Sequence, residues 1–188
     1  MKRIEALRVI DEAYSDRPLV ITCGATAREL ARVGMRDNHL YLLDSMGAAG
    51  AVGLGVALAG RGPLAAIEGD GSLLMGASML PSIAYLRPAG YVLIVLDNHV
   101  HASADSFPTQ AERVSLAEMG RGAGLSTIEC GDGDDLRTLV HEARDASAEE
   151  PVVLVVDIEP GNEPGVALVL EDPVSIKDRF VRALEAMS

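Results

Sequence analysis

The sequence has no tryptophan, and its other aromatic residues are four tyrosines and two phenylalanines. A core without large rings must bring helices and sheet close together through alanine, valine, leucine and glycine, of which glycine alone contributes 19 residues. Cysteine is scarce too, because Cys23 and Cys130 lie far apart and lack CxxC spacing. We therefore expect buried thiols in a reducing compartment, and the composition favours an α/β domain over a β-sandwich or a disulfide scaffold.

A net positive charge and long hydrophobic runs are missing as well. The formal net charge is −12, so the phosphate backbone of a nucleic acid would be repelled, and we expect no nucleic-acid partner. The longest apolar runs are interrupted by glycine and fall short of a membrane span. The charged N-terminal segment 1–16 is typical of a helix and not of a signal peptide. These features predict a cytoplasmic protein without membrane contact.

Segments of strand type and helix type alternate along the 188 residues, a length that fits one domain spanning 1–188. Strands are predicted at 18–22, 40–43, 64–68, 91–96, 125–128 and 152–158. Helices are predicted at 3–14, 25–33, 47–60, 75–86, 115–123, 133–147 and 174–187. This alternation predicts an α/β fold, a doubly wound parallel sheet with helices on both faces. Its ligand should lie at the carboxyl ends of the strands, in the loops 23–26, 44–48, 68–73 and 97–109.

The loop after the third predicted strand reads Gly69-Asp70-Gly71-Ser72. Its glycines allow backbone N–H groups to approach a phosphate, and the N-terminus of the following helix favours negative charge. Asp70 would repel the same phosphate unless it holds a divalent cation that binds the phosphate in turn. The motif on its own also occurs in plain tight turns.

A second polar pair, Asp97-Asn98, directly follows the next predicted strand. Asp70 and Asn98 therefore stand at the ends of sequential strands joined by one helix, and they could face each other. A carboxylate, an amide oxygen, a nearby carbonyl and two phosphate oxygens form the hard oxygen shell that suits Mg²⁺. The two loops together predict a magnesium and phosphate site.

With this spacing the chain resembles the thiamine diphosphate enzymes, whose signature is GDG followed by a strand that ends in asparagine. The segment VITCGATARELARVGMRDNHLYLLDSMGAAGAVGLGVAL and the start of the loop DNHVHASADSFPT are similar to the phosphonopyruvate and sulfopyruvate decarboxylases of that group. The similarity covers about residues 18–109, with a weaker similarity over 155–184. It implies the thiamine diphosphate-binding fold of the diphosphate-binding (PP-type) domain.

The resemblance also implies ligands for the metal ion and the diphosphate. Asp70 and Asn98 match the side-chain ligands of Mg²⁺, and the Val100 carbonyl oxygen matches a further ligand. Backbone N–H groups in two loops match the family's diphosphate contacts. These loops contain Gly69, Gly71 and Ser72 after the third strand, and Ala25 and Thr26 after the first.

Two further residues match catalytic positions of the family. Met46, in the segment SMGAAG, matches the bulky residue beneath the cofactor that imposes its bent form, and the Asp44 carbonyl and the Met46 N–H would contact the aminopyrimidine ring. Bending brings the 4′-imino nitrogen against the thiazolium C2 proton, so that proton removal becomes an intramolecular step. His101 lies in the loop over the thiazolium side, where it could shuttle a proton or hold a substrate anion.

The family's activating glutamate, which hydrogen-bonds the pyrimidine N1′, belongs to a separate pyrimidine-binding domain. We expect the diphosphate-binding half to fill this chain, so the resemblance implies the diphosphate-binding, or beta, subunit of a split enzyme. A pyrimidine-binding (alpha) subunit would supply the glutamate in a hetero-oligomer, and the active site would form at the interface.

The implied reaction is decarboxylation of a small 2-oxo acid, in which the thiazolium accepts the electron pair as CO₂ leaves. Two alternatives stay open, carboligation of the acyloin or acetolactate type and a non-catalytic scaffold subunit. Residues 103–108 and 170–173 depart from the family pattern, because two glycines, a glutamine and a cation are replaced, in part by acids. If these segments touch substrate, they favour a less charged 2-oxo acid over a phosphonate or a sulfonate.

The remaining candidate side chains are interpreted as structural. Cys23 is expected to be a buried small hydrophobe without a catalytic role. We expect His99 to be solvated, and His39 and His141 to lie on the surface, because their neighbours are polar or helical and no metal-ligand spacing surrounds them.

Overall fold

A computed structural model describes residues 1–187. Their strands are β1 (Leu19–Ile21), β2 (His39–Tyr41), β3 (Leu64–Gly69), β4 (Tyr91–Asp97), β5 (Val100–His101), β6 (Phe107–Pro108), β7 (Ser126–Cys130) and β8 (Val152–Asp157). Six of them form one parallel sheet in the order β2-β1-β3-β4-β8-β7, and β5 pairs with β6 as a short antiparallel hairpin. The strand order reverses between β1 and β3, the kind of switch point at which such sheets bind ligands.

The helices cover both faces of this sheet, which confirms the predicted fold class. They are α1 (Arg3–Ala13), α2 (Ala25–Val33), α3 (Ala49–Leu58), α4 (Asp70–Met75), α5 (Met79–Leu86), α6 (Leu116–Gly122), α7 (Leu136–Ala146) and α8 (Pro173–Ala186). One hydrophobic cluster joins the sheet to α1, α2 and α7, and a second joins it to α3, α5 and α6. Along β4, Ile94 and Leu96 belong to the first cluster, whereas Leu93 and Val95 belong to the second. Burial on both faces accounts for the unbroken apolar run of this strand.

The helix expected from residue 75 begins earlier, at Asp70, and a turn at 76–78 splits it into α4 and α5. The turn lies where Gly76 meets Gly47, since a Cβ added to Gly47 would lie 2.7 Å from the Gly76 nitrogen. Two backbones at this separation leave no room for side chains. The loop between β2 and α3 is therefore pressed against the end of α4.

The prediction that His39 lies on the surface is wrong. Its ring is fully buried on β2, with Nδ1 3.0 Å from the Tyr41 hydroxyl and Nε2 3.2 Å from Asp11 Oδ1. Burial lowers the pKa of His39 to about 4, although the Asp11 carboxylate acts in the opposite direction. The strand is only three residues long, and the sequence around it does not show that α1 and α8 cover this edge of the sheet.

Of the other expectations for single residues, some are confirmed and others are wrong. His141 is exposed on α7, as expected. His99 is about half exposed, but its Nδ1 lies 3.3 Å from Asp97 Oδ1. Cys23 is partly exposed and lines a cavity, so it is not the buried hydrophobe that we expected, whereas Cys130 is buried. No helix in residues 1–187 combines the length and the hydrophobicity that a membrane span requires.

Candidate active site

A cavity of about 600 Å³ lies at the carboxyl ends of β1, β3 and β4, beside the switch point of the sheet. Its size suits a cofactor or another small molecule. All the residues predicted to form the site line this cavity, namely Ala25, Thr26, Asp44, Met46, Gly69, Asp70, Gly71, Ser72, Asn98, Val100 and His101. The structure thus brings four loops together, while the role of each residue stays a prediction.

Asp70 is the first residue of α4 and is buried at the edge of the cavity. Thr109, directly after β6, donates its hydroxyl proton to Asp70 Oδ2 over 2.5 Å. No lysine, arginine or histidine within residues 1–187 forms a salt bridge with Asp70. A buried carboxylate without a counterion costs free energy, so a cation would stabilise this site. The sequence analysis assigned no role to Thr109, although this residue ends the loop that carries Asn98.

The side chain of Asn98 lies between Asp70, Val100 and Arg3. One of its two amide atoms is 2.8 Å from the Val100 carbonyl oxygen and 3.3 Å from Asp70 Oδ1, and the other is 2.8 Å from Arg3 Nη2. With its nitrogen toward the two oxygens, the amide donates to both and accepts from Arg3. With its oxygen toward them, and Arg3 Nη2 turned away, three oxygen atoms face one another, and a divalent cation satisfies all three. The donor set therefore fits the predicted Mg²⁺.

Arg3 is a site residue that sequence reasoning missed. It belongs to α1 and is buried, and its Nη1 donates to Glu29 Oε1 at 2.8 Å and to Asn162 Oδ1 at 3.1 Å. The buried carboxylate of Glu29 compensates the guanidinium charge and holds it beside Asn98. The position of Arg3 depends on how α1 packs against α2, for which the local sequence pattern has no signal.

His101 lies directly over the glycine loop. A Cβ added to Gly71 would lie 2.7 Å from His101 Nδ1, so a larger residue here would displace the imidazole ring. At the tip of the hairpin, Ser103 Oγ lies 3.4 Å from the position of a Cβ on Gly24. The hairpin β5–β6 therefore crosses the cavity from α4 to the start of α2.

The first turn of α2 faces the cavity with Ala25 and Thr26. Its N-cap, Gly24, has a φ of +77° and cannot offer a side-chain hydrogen bond to the first N–H groups. Uncapped N–H groups and the positive end of the helix dipole attract anions. Arg28, in the same helix, adds a cation to the cavity wall. This geometry suits the second diphosphate contact that the sequence predicts.

Met46 and Asp44 line the cavity from the loop between β2 and α3. The Met46 side chain is 41% exposed, so it is available to a bound molecule. The loop is held from below, because Gly47 N donates to Ser72 Oγ at 2.8 Å. A large thioether at the cavity wall can support a ring that lies against it.

The acids that depart from the family pattern have contacts of their own. Asp172 is the N-cap of α8 and accepts from two N–H groups of its first turn, and Glu171 pairs with Arg179. Of the two altered segments, Ser103, Ala104 and Leu170 line the cavity, whereas the acids Asp105, Glu171 and Asp172 do not. These acids lie outside the cavity wall, whereas other residues of both segments belong to it, so the expectation of a less charged 2-oxo acid stays a prediction.

Residues 22–156 match the family described as "Thiamine pyrophosphate enzyme, C-terminal TPP binding domain", thiamine pyrophosphate being another name for thiamine diphosphate. The chain belongs to this family. The matched range runs from the end of β1 into β8 and contains the glycine loop, the hairpin and the loop of Met46.

Relatives of this chain in the family extend the similarity over nearly all of its length. It is 32% identical over 187 residues to the sulfopyruvate decarboxylase subunit beta of Methanocaldococcus jannaschii, covering 98% of this chain and 97% of that subunit. It is 34% identical over 180 residues to the phosphonopyruvate decarboxylase of Streptomyces hygroscopicus, covering 95% of this chain and 44% of that protein. These matches confirm the family and the expectation of a thiamine diphosphate-dependent decarboxylase.

A solved structure shows the same fold at lower sequence identity. Benzoylformate decarboxylase from Polynucleobacter necessarius aligns with a TM-score of 0.69 at 19% identity, over 86% of this chain and 34% of that chain. A likeness at this identity concerns the fold alone, and it agrees with the thiamine diphosphate-binding fold predicted from the sequence.

Proposed function

We propose that the chain is the beta subunit of a thiamine diphosphate- and Mg²⁺-dependent decarboxylase that acts on a small 2-oxo acid, like sulfopyruvate or phosphonopyruvate decarboxylase. The observation that carries the proposal is the convergence of Asp70 Oδ1 and the Val100 carbonyl oxygen on the amide of Asn98. Beside them lie a glycine loop and an uncapped helix start. A divalent cation with a diphosphate would satisfy the carboxylate and the N–H groups at once.

In this proposal the chain holds the cofactor through its diphosphate end. Asp70, Asn98 and the Val100 carbonyl bind Mg²⁺, and the N–H groups of Gly71 and Ser72 bind the diphosphate. The first turn of α2 binds the diphosphate from the other side of the cavity. When bound, thiamine diphosphate supplies the electron sink for the loss of CO₂ from a 2-oxo acid.

The other cavity residues orient the ring system and the substrate. Met46 would support the cofactor rings, and the Asp44 carbonyl would accept a hydrogen bond from the aminopyrimidine. His101, which reaches over Gly71, holds or moves a proton at an imidazole nitrogen, or binds the substrate's anionic group. Arg28 adds a cation to the cavity wall that can bind a carboxylate of the substrate.

A pyrimidine-binding alpha subunit completes the proposed site. The M. jannaschii relative is a beta subunit of nearly the same length, whereas the S. hygroscopicus relative is more than twice as long as this chain. Next to Met46, α3 exposes Ala51, Gly55 and Leu58 and has no charged residue. A helix that is apolar on all sides is normally buried on all sides. The exposed apolar face of α3 therefore supports contact with a second subunit in a hetero-oligomer. The free thiols of Cys23 and Cys130 support a cytoplasmic location.

Native mass spectrometry of the tagged chain, purified from its own cells with Mg²⁺ and thiamine diphosphate, tests this proposal. We expect a hetero-oligomer that carries the cofactor, and release of CO₂ from one or more of a panel of 2-oxo acids that includes sulfopyruvate and phosphonopyruvate. A longer hydroxyketone as the main product would favour carboligation. A chain without partner and without cofactor would contradict the proposal and favour the scaffold.

A further inference from the structure

Glu68 is a buried carboxylate two residues before Asp70. It is the next-to-last residue of β3, is 0% exposed, and is not among the residues that line the cavity. It has no salt bridge within residues 1–187, and burial raises its pKa. Such a carboxylate costs free energy in a strand that is otherwise apolar, so hydrogen bonds must compensate for the lost water.

Both carboxylate oxygens of Glu68 accept hydrogen bonds. Oε1 accepts from Gly50 N at 3.0 Å, in the first turn of α3, and Oε2 accepts from the Ser72 hydroxyl at 2.5 Å. Ser72 Oγ in turn accepts from Gly47 N at 2.8 Å and lies 2.8 Å from Thr22 Oγ1. Glu68 and Ser72 thus connect the end of β1, the loop between β2 and α3, and the start of α4.

The same loop is fixed on its other side as well. Gly47 has a φ of +76°, and its backbone touches that of Gly76, as described above. The loop is thus held at two points, by the hydrogen bond to Ser72 and by the backbone contact at the end of α4. Met46 is the residue directly before Gly47, so its position relative to the glycine loop depends on these contacts.

We propose that Glu68 is a positioning residue for the cofactor, because it acts through Ser72 to set the Met46 loop at a fixed distance from the diphosphate-binding N–H groups. This role rests on the function proposed above, since it requires that Met46 and the N–H groups contact the same bound molecule. A bent cofactor touches both at once, so a displacement of one relative to the other removes the productive geometry. Loss of a hydrogen-bond partner of a metal ligand typically costs about 10- to 100-fold in affinity or activity, and we expect a comparable loss when the contacts between the Met46 loop and the diphosphate loop are removed.

The experiment compares Glu68→Ala, Glu68→Gln and Ser72→Ala in the complex purified from its own cells. Asp11→Asn is the matched control, because Asp11 is also a buried carboxylate but lies outside the cavity. Three quantities are measured in each complex. They are the hydrogen exchange of backbone amides in 44–50 without cofactor, the dissociation constant of thiamine diphosphate with excess Mg²⁺, and the rate at which the C2 proton of the bound cofactor exchanges with solvent.

We expect Glu68→Ala to speed amide exchange at Gly47 and Gly50, to weaken cofactor binding by about 10- to 100-fold and to slow C2-proton exchange. Glu68→Gln should recover most of each loss, because its amide oxygen can accept from Gly50 N and its nitrogen can donate to Ser72 Oγ. Ser72→Ala keeps the backbone N–H and should reproduce the effect of Glu68→Ala, which secures the test if Glu68→Ala does not fold. Asp11→Asn should leave all three quantities unchanged.

Wild-type cofactor affinity and C2-proton exchange in Glu68→Ala or Ser72→Ala would overturn the proposal and leave Glu68 as a cap of α3. A wild-type complex that binds no thiamine diphosphate would reject the proposed function, and with it this role. Because the wild type is measured beside the variants, the two failures are distinguishable.

Discussion

Two buried aspartates, Asp11 on α1 beside β2 and Asp70 at the cavity, have opposite surroundings. Asp11 accepts from Arg36 Nε at 2.8 Å and Nη2 at 2.7 Å, and His39 lies 3.2 Å away. Asp70 accepts from Thr109, and no cationic side chain in residues 1–187 forms a salt bridge with it. The Asp11 carboxylate is thus compensated by cationic side chains, whereas the Asp70 carboxylate has only a neutral hydrogen-bond donor among the described residues.

The difference agrees with the proposal that Asp70 is kept for a cation, whereas Asp11 stabilises the fold. When one member of a buried ion pair is removed by mutation, the other is left without compensation, so the free energy of unfolding falls. An unpaired buried charge costs free energy until it binds a cation. Its removal should therefore weaken binding of the cation without lowering the free energy of unfolding. Substitutions of the two aspartates should therefore have crossed effects on stability and on cofactor affinity.

The largest effect is expected from Asp70→Asn, measured as the dissociation constant of thiamine diphosphate with Mg²⁺ in the complex. Affinity should fall by more than about 100-fold, because loss of mere outer partners of a metal already costs about 10- to 100-fold. The free energy of unfolding of the cofactor-free protein should be unchanged or higher, since the amide oxygen still accepts from Thr109. Unchanged cofactor affinity would end the metal assignment, and Asp145→Asn, at an exposed position on α7, is the control.

Asp11→Asn should show the reverse. It removes the charge between Arg36 and His39 and should lower the free energy of unfolding by roughly 1–3 kcal/mol. The lost interaction with Arg36 contributes less to this value than burial alone would suggest, because the guanidinium is partly solvated. Cofactor affinity should stay at the wild-type value. Denaturant unfolding and the same binding measurement check both expectations, and a loss of affinity here would show that the two regions are coupled.

Gly71→Ala changes the shape of the cavity without changing its charge. The added methyl group would lie against the imidazole of His101, and overpacking of this kind typically costs about 1–3 kcal/mol. We expect cofactor affinity to fall by roughly 10-fold, as the ring or the loop moves. His101→Ala in the same chain should restore most of the affinity. If it does not, the methyl group obstructs the diphosphate itself and the ring is not the obstacle.

The sequence predicted the sheet well because its signals are local. The alternation of apolar strands with helices identified the parallel sheet, and each of its strands overlaps the expected segment. The break between α4 and α5 was not predicted, since it follows from the contact of Gly47 with Gly76, which are far apart in the sequence. Contacts of this kind depend on how the elements pack, and a periodic pattern does not encode them.

The candidate site was predictable to a similar degree and for the same reason. Asp70 and Asn98 were found because each directly follows a strand, so that topology alone brings them to one edge, whereas Met46 was found through the resemblance to the family. Arg3 was missed because it reaches the site from α1, and Glu68 was missed although a carboxylate in an apolar strand is a visible signal. His39 was assigned to the surface because polar neighbours hide the packing of α1 and α8 over β2.

The smallest effect is expected from His39, through pH. Its pKa is about 4 in the folded protein and 6.5 in the unfolded chain, so between these values the unfolded state binds a proton that the folded state does not. Stability is therefore complete above about pH 6.5 and falls as the pH drops toward 4. Between about pH 7 and pH 5 the loss should amount to about 1–2 kcal/mol.

His39→Gln should flatten this part of the stability curve, while His141→Gln, at an exposed position, should keep the wild-type slope. The groups that face His39 are Asp11, Arg36, Arg179 and Tyr41. The arginines and the tyrosine, whose pKa burial raises, keep their charge state across this range, so a slope that disappears in His39→Gln belongs to the histidine. A slope that persists in His39→Gln would belong to the carboxylates, and the buried pair of His39 with Asp11 would then contribute to stability without responding to pH.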